Sequence, residues 1–216
     1  MGISYRVAWM MLHRFRVAMA CTDSDLSGEV EVDETLIDGV AKGGKRGRGT
    51  SEEIVVIAVE IKQPNGFGRI RMRHVPDMSS DSLTPFVWKM VASNSVVCTD
   101  DWRGYCGLLT GYDHRRTILL SSGDPAYMAM PGVRHVALLL KCWLEAHQGA
   151  FSSQHLQSYL EEFTFRFNHR NLQRREHLFR CLLKQAVATQ PVTESDILHG
   201  YQWEPTETDY VLELWD

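Results

Sequence analysis

Residues 54–61 read Ile-Val-Val-Ile-Ala-Val-Glu-Ile, almost continuously apolar and rich in β-branched side chains. A strand of this kind has no water-facing side, so it belongs inside a sheet that is covered on both faces. That requirement excludes an open one-sided sheet and calls for helices packed above and below it. The neighbouring segments supply the rest of such a sheet. From Gly28 to Ile37 the pattern alternates, with Val30, Val32 and Leu36 on one face and Glu31, Asp33 and Thr35 on the other, which predicts a half-buried strand. Pro64-Asn-Gly66 supplies a turn into residues 69–75, where Ile70 and Met72 alternate with Arg69, Arg71 and Arg73. Three consecutive strands make a meander.

The remaining elements follow from period and punctuation. A helix is expected over residues 83–91 after Asp77-Met-Ser-Ser, then a short buried strand over 95–100 and a fifth strand over 117–120. Pro131-Gly-Val133 opens a helix with Val133, Val136, Ala137, Leu140 and Leu144 as its apolar stripe. Two further helices are expected over residues 154–168 and about 176–188, the first with Leu156, Leu160, Phe163 and Phe167 at core spacing. Residues 3–20 read as an amphipathic helix whose apolar side is Ala8, Met11, Leu12, Phe15 and Met19. The order predicts an α/β fold: a mixed sheet flanked by helices, with a short N-terminal helix and a helical C-terminal region.

Composition narrows the function classes. The chain has 216 residues, 44% of them hydrophobic and 23% charged, the balance of a folded soluble protein. No apolar run approaches the ~20 residues of a membrane span, and no signal peptide is present, so a cytoplasmic location is expected. Five cysteines show no CxxC pairing and read as reduced, mostly buried side chains. The formal charge is −4, but residues 201–216 hold five acids and no Lys or Arg, leaving 23 cations against 22 acids elsewhere. That stretch reads as a solvated tail, with Trp203, Tyr210 and Trp215 able to dock on the body. Basic residues cluster at 42–48 and 166–180.

Two acids stand out. Asp33 interrupts an otherwise alternating strand, and Asp100 closes Val-Val-Cys-Thr-Asp. A carboxylate on a sheet is costly to bury unless it meets a cation, so two on adjacent strands form a natural site for a divalent metal, with oxygen ligands favouring magnesium or manganese. The plainer possibility is that each acid caps a strand end at a solvated loop. Spacing alone leaves both open.

The string Leu26-Ser-Gly-Glu-Val-Glu-Val-Asp-Glu-Thr35 resembles the first catalytic strand of bacterial insertion-sequence transposases of the ISXO type, the fifteen-ninety-five insertion-sequence family. So do Thr99-Asp-Asp-Trp-Arg-Gly-Tyr105, Met130-Pro-Gly-Val133 leading to Lys141-Cys-Trp143, and Tyr159-Leu-Glu-Glu-Phe-Thr-Phe-Arg-Phe-Asn-His-Arg170. The resemblance runs over about residues 3–198 in order. It implies an RNase H-like fold and a DDE transposase that cuts and joins DNA, with two magnesium or manganese ions held by Asp33, Asp100 and a third ligand on a later helix. It implies double-stranded DNA, both transposon ends and target, as the partner, and a homo-oligomer as the working form. Family members carry a zinc ribbon and a helix-turn-helix ahead of the catalytic domain; here no ribbon is present, and residues 3–20 resemble only the last helix of the DNA-reading module. The expected organisation is therefore a remnant of that module over 1–26, a catalytic domain over 27–198 and an acidic tail over 199–216.

The resemblance breaks at the third ligand. The family places Glu, Asn or His seven residues before a lysine on one helix, nearly two turns, so both share a face. Counting back from Lys141 reaches Arg134, and the family's Val-His-Arg-Val stands here as Val133-Arg-His-Val136. His135 points about 100° away from the expected direction, and arginine has no lone pair to give a metal. Three readings stay open: a shifted helix brings His135 in as the third catalytic ligand, two acids suffice, or the site is a decayed copy. A decayed copy could still bind DNA or intact transposase as an inhibitory module. Asp101, where the family usually has glycine, and the shortened Trp143-Leu-Glu-Ala-His147 segment fit decay. For DNA contact the candidates are Lys141, beside the third position, and Lys45, Arg46 and Arg48 in the Gly-rich loop after the first strand.

Overall fold

In the computed structural model, the described residues are 2–20, 24–38, 52–62, 64, 66–117, 130–147, 152–172 and 174–200. The chain divides into two compact units, one made of Asp25–Ser153 and the other of Met1–Ser24 with Gln154–Asp216.

The first unit is built on a sheet. Among the described residues its strands are β1 (Glu29–Asp38), β2 (Glu52–Ile61), β3 (Phe67–Val75), β4 (Val96–Asp100) and β5 (Asp113–Thr117), in the order β3-β2-β1-β4-β5. The first three form the antiparallel meander that the turn residues predict, and β4 and β5 add in parallel on the other side of β1. This is the mixed, helix-flanked RNase H-like arrangement. The apolar run in β2 has the two-sided burial expected of it, since residues 55–59 are wholly inaccessible. Val30, Val32, Val56, Ala58 and Val97 form one side of the sheet. They pack with Leu83, Phe86 and Val87 of α2 (Ser80–Met90) and with Tyr105 and Leu108 of the 3-10 helix Arg103–Thr110. The opposite side receives α3 (Pro131–Ala146), which lies against β1 and β2 through Val133, Val136, Leu140 and Leu144.

The fifth strand lies earlier than the 117–120 expected for it. Its sequence, Asp-His-Arg-Arg-Thr, is polar because an edge strand here has little to bury, so no apolar alternation marks it. Residues 118–120 lie outside the described residues.

The docking of α3 depends on two residues. Its N-cap, Met130, has no side-chain acceptor to offer, and the buried Glu31 of β1 takes that role by accepting the Val133 N–H at 3.0 Å. Close approach requires Gly132, where an added Cβ would come within 2.8 Å of Ile61 Cδ1 and 2.9 Å of Glu31 Oε2.

The second unit groups α1 (Tyr5–Ala18) with α4 (Leu156–Asn168), α5 (Arg175–Ala188) and α6 (Glu194–Leu198). α4 buries Leu156, Leu160, Phe163 and Phe167 as its spacing predicts. α1 is a correction. Its predicted apolar face is outward, with Met11, Leu12 and Phe15 at 44%, 54% and 41% exposure, and the buried residues are Met10, His13, Arg16, Val17 and Ala18. The reason is polar. Arg16 bonds Glu162 at 2.9 Å and lies over the Tyr159 ring at 3.9 Å, while His13 meets Ser158 at 3.3 Å, and these contacts orient the helix more strongly than its apolar stripe does.

Replacing Gly132 with alanine should destabilise the sheet unit by about 1–3 kcal/mol, as overpacking of a tight contact does. Urea unfolding monitored by circular dichroism checks this, and an unchanged midpoint would show that α3 can back away from β1 freely.

Candidate active site

Two parallel strands set the site. β1 and β4 pair through Glu29↔Val96, Val30↔Val97 and Glu31↔Cys98. Carried two residues further, that register brings Asp33 beside Asp100, and because partners in a parallel pair project to the same side, both carboxylates stand on the α3 face of the sheet. Asp33 senses the charge of Asp100. Asp33 is pushed up to about 6, first by burial and then by the negative charge of Asp100. Each carboxylate is also anchored to local backbone, Asp33 Oδ1 accepting the Glu34 N–H and Asp100 Oδ1 accepting the Trp102 N–H, both at 2.9 Å.

On the other face, Glu34 is raised to about 7, mainly by burial and further by the charges of Asp33 and Asp100. The fully buried Tyr105 donates its hydroxyl to Glu34. Tyr105 belongs to the 3-10 helix that follows β4, so this bond ties the end of β4 back to β1 beyond the Glu31↔Cys98 pair. Neither residue stands out from its own spacing. Tyr105 is visible only as part of the Thr99–Tyr105 motif. Glu31, raised by burial and opposed by the N–H groups of Val133 and Gly132, shares the Asp33 face by simple alternation, a period-two signal that does not reveal its capping role.

The third predicted position is now placed. Arg134 is the α3 cation whose charge reaches Asp33, drawing its pKa down against the stronger pull of burial and Asp100. His135 instead stacks on the Phe67 ring of β3, centroids 5.4 Å apart and planes at 29°. Among the described residues no three His, Cys, Asp or Glu side chains are grouped so as to hold a metal ion. Asp33 and Asp100 are thus brought together and His135 is held elsewhere. Lys141 is exposed, two turns along α3 from Arg134. Lys45, Arg46 and Arg48 lie outside the described residues. Asp101 points outward and pairs with Arg116 at 3.3 Å.

A family model, that of the ISXO2-like transposase domain, matches residues 25–168. The chain belongs to this family. It is a transposase of the DDE class by descent, and Asp33, Asp100, the Arg134–His135 pair and Lys141 all lie within the matched range. No curated protein matches it in sequence. Among solved structures, it is similar to the catalytic core domain of BIV integrase, at 14% identity and a TM-score of 0.43 over 75% of this chain and 97% of that one. No helix among the described residues is long and apolar enough to cross a membrane.

Enzymes of the DDE transposase class generally work with divalent cations, and the donor set here suits one. Two carboxylates on one face, with burial and the charge of Asp100 both favouring a proton on Asp33, would release that proton to a hard cation with oxygen preference.

The raised pKa of Asp33 has a definite sign. Its folded value, about 6, exceeds its ordinary 3.8, so the folded state holds the proton more tightly and the ionised group weakens the fold. In chelator, the stability of the wild type relative to Asp33→Asn should fall as pH rises from 3.8 to about 6 and level off above. Paired urea titrations test this, and the pairing matters because His13, lowered to about 4, acts in the opposite sense. A difference that does not vary with pH would show that Asp33 is not strained by its neighbours.

Proposed function

We propose that this chain is a transposase catalytic domain that binds double-stranded DNA and holds one or two magnesium or manganese ions between Asp33 and Asp100, with strand cleavage and joining impaired because Arg134 occupies the third ligand's place. The observation that carries this reading is that the charge of Arg134 reaches Asp33 while His135 is stacked on Phe67.

When bound, the metal supplies an activated oxygen nucleophile and charge neutralisation at the phosphodiester during in-line attack. The protein's part is positional. Asp33 and Asp100 hold the cation from two strands whose spacing the sheet sets, and the backbone N–H groups of Glu34 and Trp102 aim them. Arg134 cannot ligate, but its guanidinium neutralises part of the Asp33 charge that would otherwise draw a cation. It remains able to fork onto a phosphate oxygen pair. That combination favours retained DNA affinity with weakened chemistry, which also supports the second reading, an inhibitory module that binds DNA or associates with intact transposase copies. Lys141, and Lys45, Arg46 and Arg48 after β1, are the residues we assign to phosphate contacts, which are independent of sequence and sensitive to salt.

A strand-transfer assay in manganese, run on wild type, Asp33→Ala, Asp100→Ala and the double exchange Arg134→His/His135→Arg, tests the proposal. The exchange should raise activity about 100-fold, the order expected for restoring one preorganised group at the reacting centre. Either aspartate variant should abolish it. In parallel, manganese affinity measured by electron paramagnetic resonance should tighten in the exchange and strengthen as pH rises through about 6, where Asp33 gives up its proton. Full activity in the wild type that survives Asp33→Ala would overturn the assignment.

A further inference from the structure

We propose that Trp102 is a stacking platform for a nucleobase flanking the phosphodiester held at Asp33 and Asp100; this rests on the DNA-processing reading above and adds to it a base-binding subsite. Trp102 follows Asp100 by two residues, which span at most about 7 Å of chain. That is about two 3.4 Å base steps along a strand. Its backbone therefore adjoins the strand end that carries Asp100, next to any phosphate that the two aspartates engage.

The ring is held, not loose. Its backbone N–H donates to Asp100 Oδ1 at 2.9 Å, and its Nε1–H donates to the Met78 carbonyl, also at 2.9 Å. The pyrrole edge is seated against Gly104, where an added Cβ would come within 2.9 Å of Trp102 Cδ1, 2.8 Å of Leu83 Cδ1 and 2.6 Å of the Met78 oxygen. Gly104 is buried, so the seat is tight and glycine is required there. With that edge docked, Trp102 is still 48% exposed.

This arrangement differs from an ordinary surface tryptophan. Trp88 is more exposed at 57%, but it belongs to α2 and not to the turn that follows Asp100. Single exposed apolar side chains are normal and need no function. A half-exposed indole, fixed at its polar edge and hydrogen-bonded through its own backbone to a candidate site carboxylate, is a different object. Its rotamer freedom is already spent, so a partner stacking on it gives up little further entropy. A nucleobase suits it because every base presents a π-face and stacking needs no particular sequence. The base must be unpaired or at a strand end, since one inside a duplex has both faces covered by its neighbours.

The test uses the full chain and a hairpin DNA whose duplex ends in a short single-stranded 3′ flank carrying 2-aminopurine, with calcium replacing manganese so that binding is read without cleavage. Wild type should quench the 2-aminopurine fluorescence. Trp102→Leu should abolish the quenching and weaken binding of the flanked hairpin about 5- to 150-fold, equivalent to ~1–3 kcal/mol of stacking, while binding of blunt duplex stays within about twofold. Trp102→Phe, which keeps a ring, should retain part of the quenching, and Trp88→Leu should behave as wild type. Thermal melts confirm that each variant folds; if Trp102→Leu does not, the contrast between Trp102→Phe and Trp88→Leu decides. Undiminished quenching in the Trp102 variants, or a change in oligomeric state in place of a change in quenching, overturns the platform while leaving the DNA reading intact. Absence of DNA binding by the wild type at low salt overturns both.

Discussion

Two carboxylates held on one face by adjacent parallel strands are a source of stress that the rest of the sheet unit is arranged around. Burial and the charge of Asp100 both raise Asp33. The stress is tolerated because the two strands are clamped from both sides. Below them lies the apolar layer of Val30, Val32 and Val97 against α2, and the Tyr105–Glu34 bond ties the 3-10 helix after β4 to β1. Unpaired buried charge normally marks either a fault or a site built for a counter-ion. The metal reading proposed above takes the second alternative, in keeping with a family whose members generally use divalent cations.

The helix that should complete the site is positioned with the same economy. α3 has no cap of its own and takes one from Glu31, two residues before Asp33 on the same strand, so the strand that holds the first aspartate also sets the start of the helix. Gly132 lets the two backbones approach. With its start fixed, the helix has little freedom to rotate, and a rotation is what His135 would need to leave Phe67 and reach the aspartates. On the proposed reading, the order of these two neighbours puts a cation where the family resemblance expects a ligand, a change of charge and of coordination chemistry together.

The second unit illustrates a different balance. α1 carries an apolar stripe that ordinary reasoning would bury, yet it packs through Arg16 and His13 against Glu162, Tyr159 and Ser158. Burial lowers His13 to about 4, with Arg16 adding to the effect, so its ring is neutral at physiological pH and can accept as well as donate. A buried ion pair of this kind adds little over a well-packed apolar replacement, yet removing one partner is strongly destabilising because it strands the other charge.

What the sequence determined by itself was the sheet and the identity of its two acids. Eight near-continuous apolar residues admit only a two-sided strand, Pro64-Asn-Gly66 dictates the return, and strict alternation puts Glu31 and Asp33 on a common face. Such features are local, and short-range sterics and periodicity are enough to read them. The polar edge strand β5 and the outward stripe of α1 were not legible, because in each case a neighbour far along the chain decides what is buried. The same holds at the site. Motif spacing singles out Arg134 and His135 but not which of them Asp33 feels, and nothing local joins Tyr105 to Glu34 or Trp102 to Met78. Those facts arise when separate strands and helices are brought to within hydrogen-bonding or Coulombic range, and only the tertiary structure sets those distances.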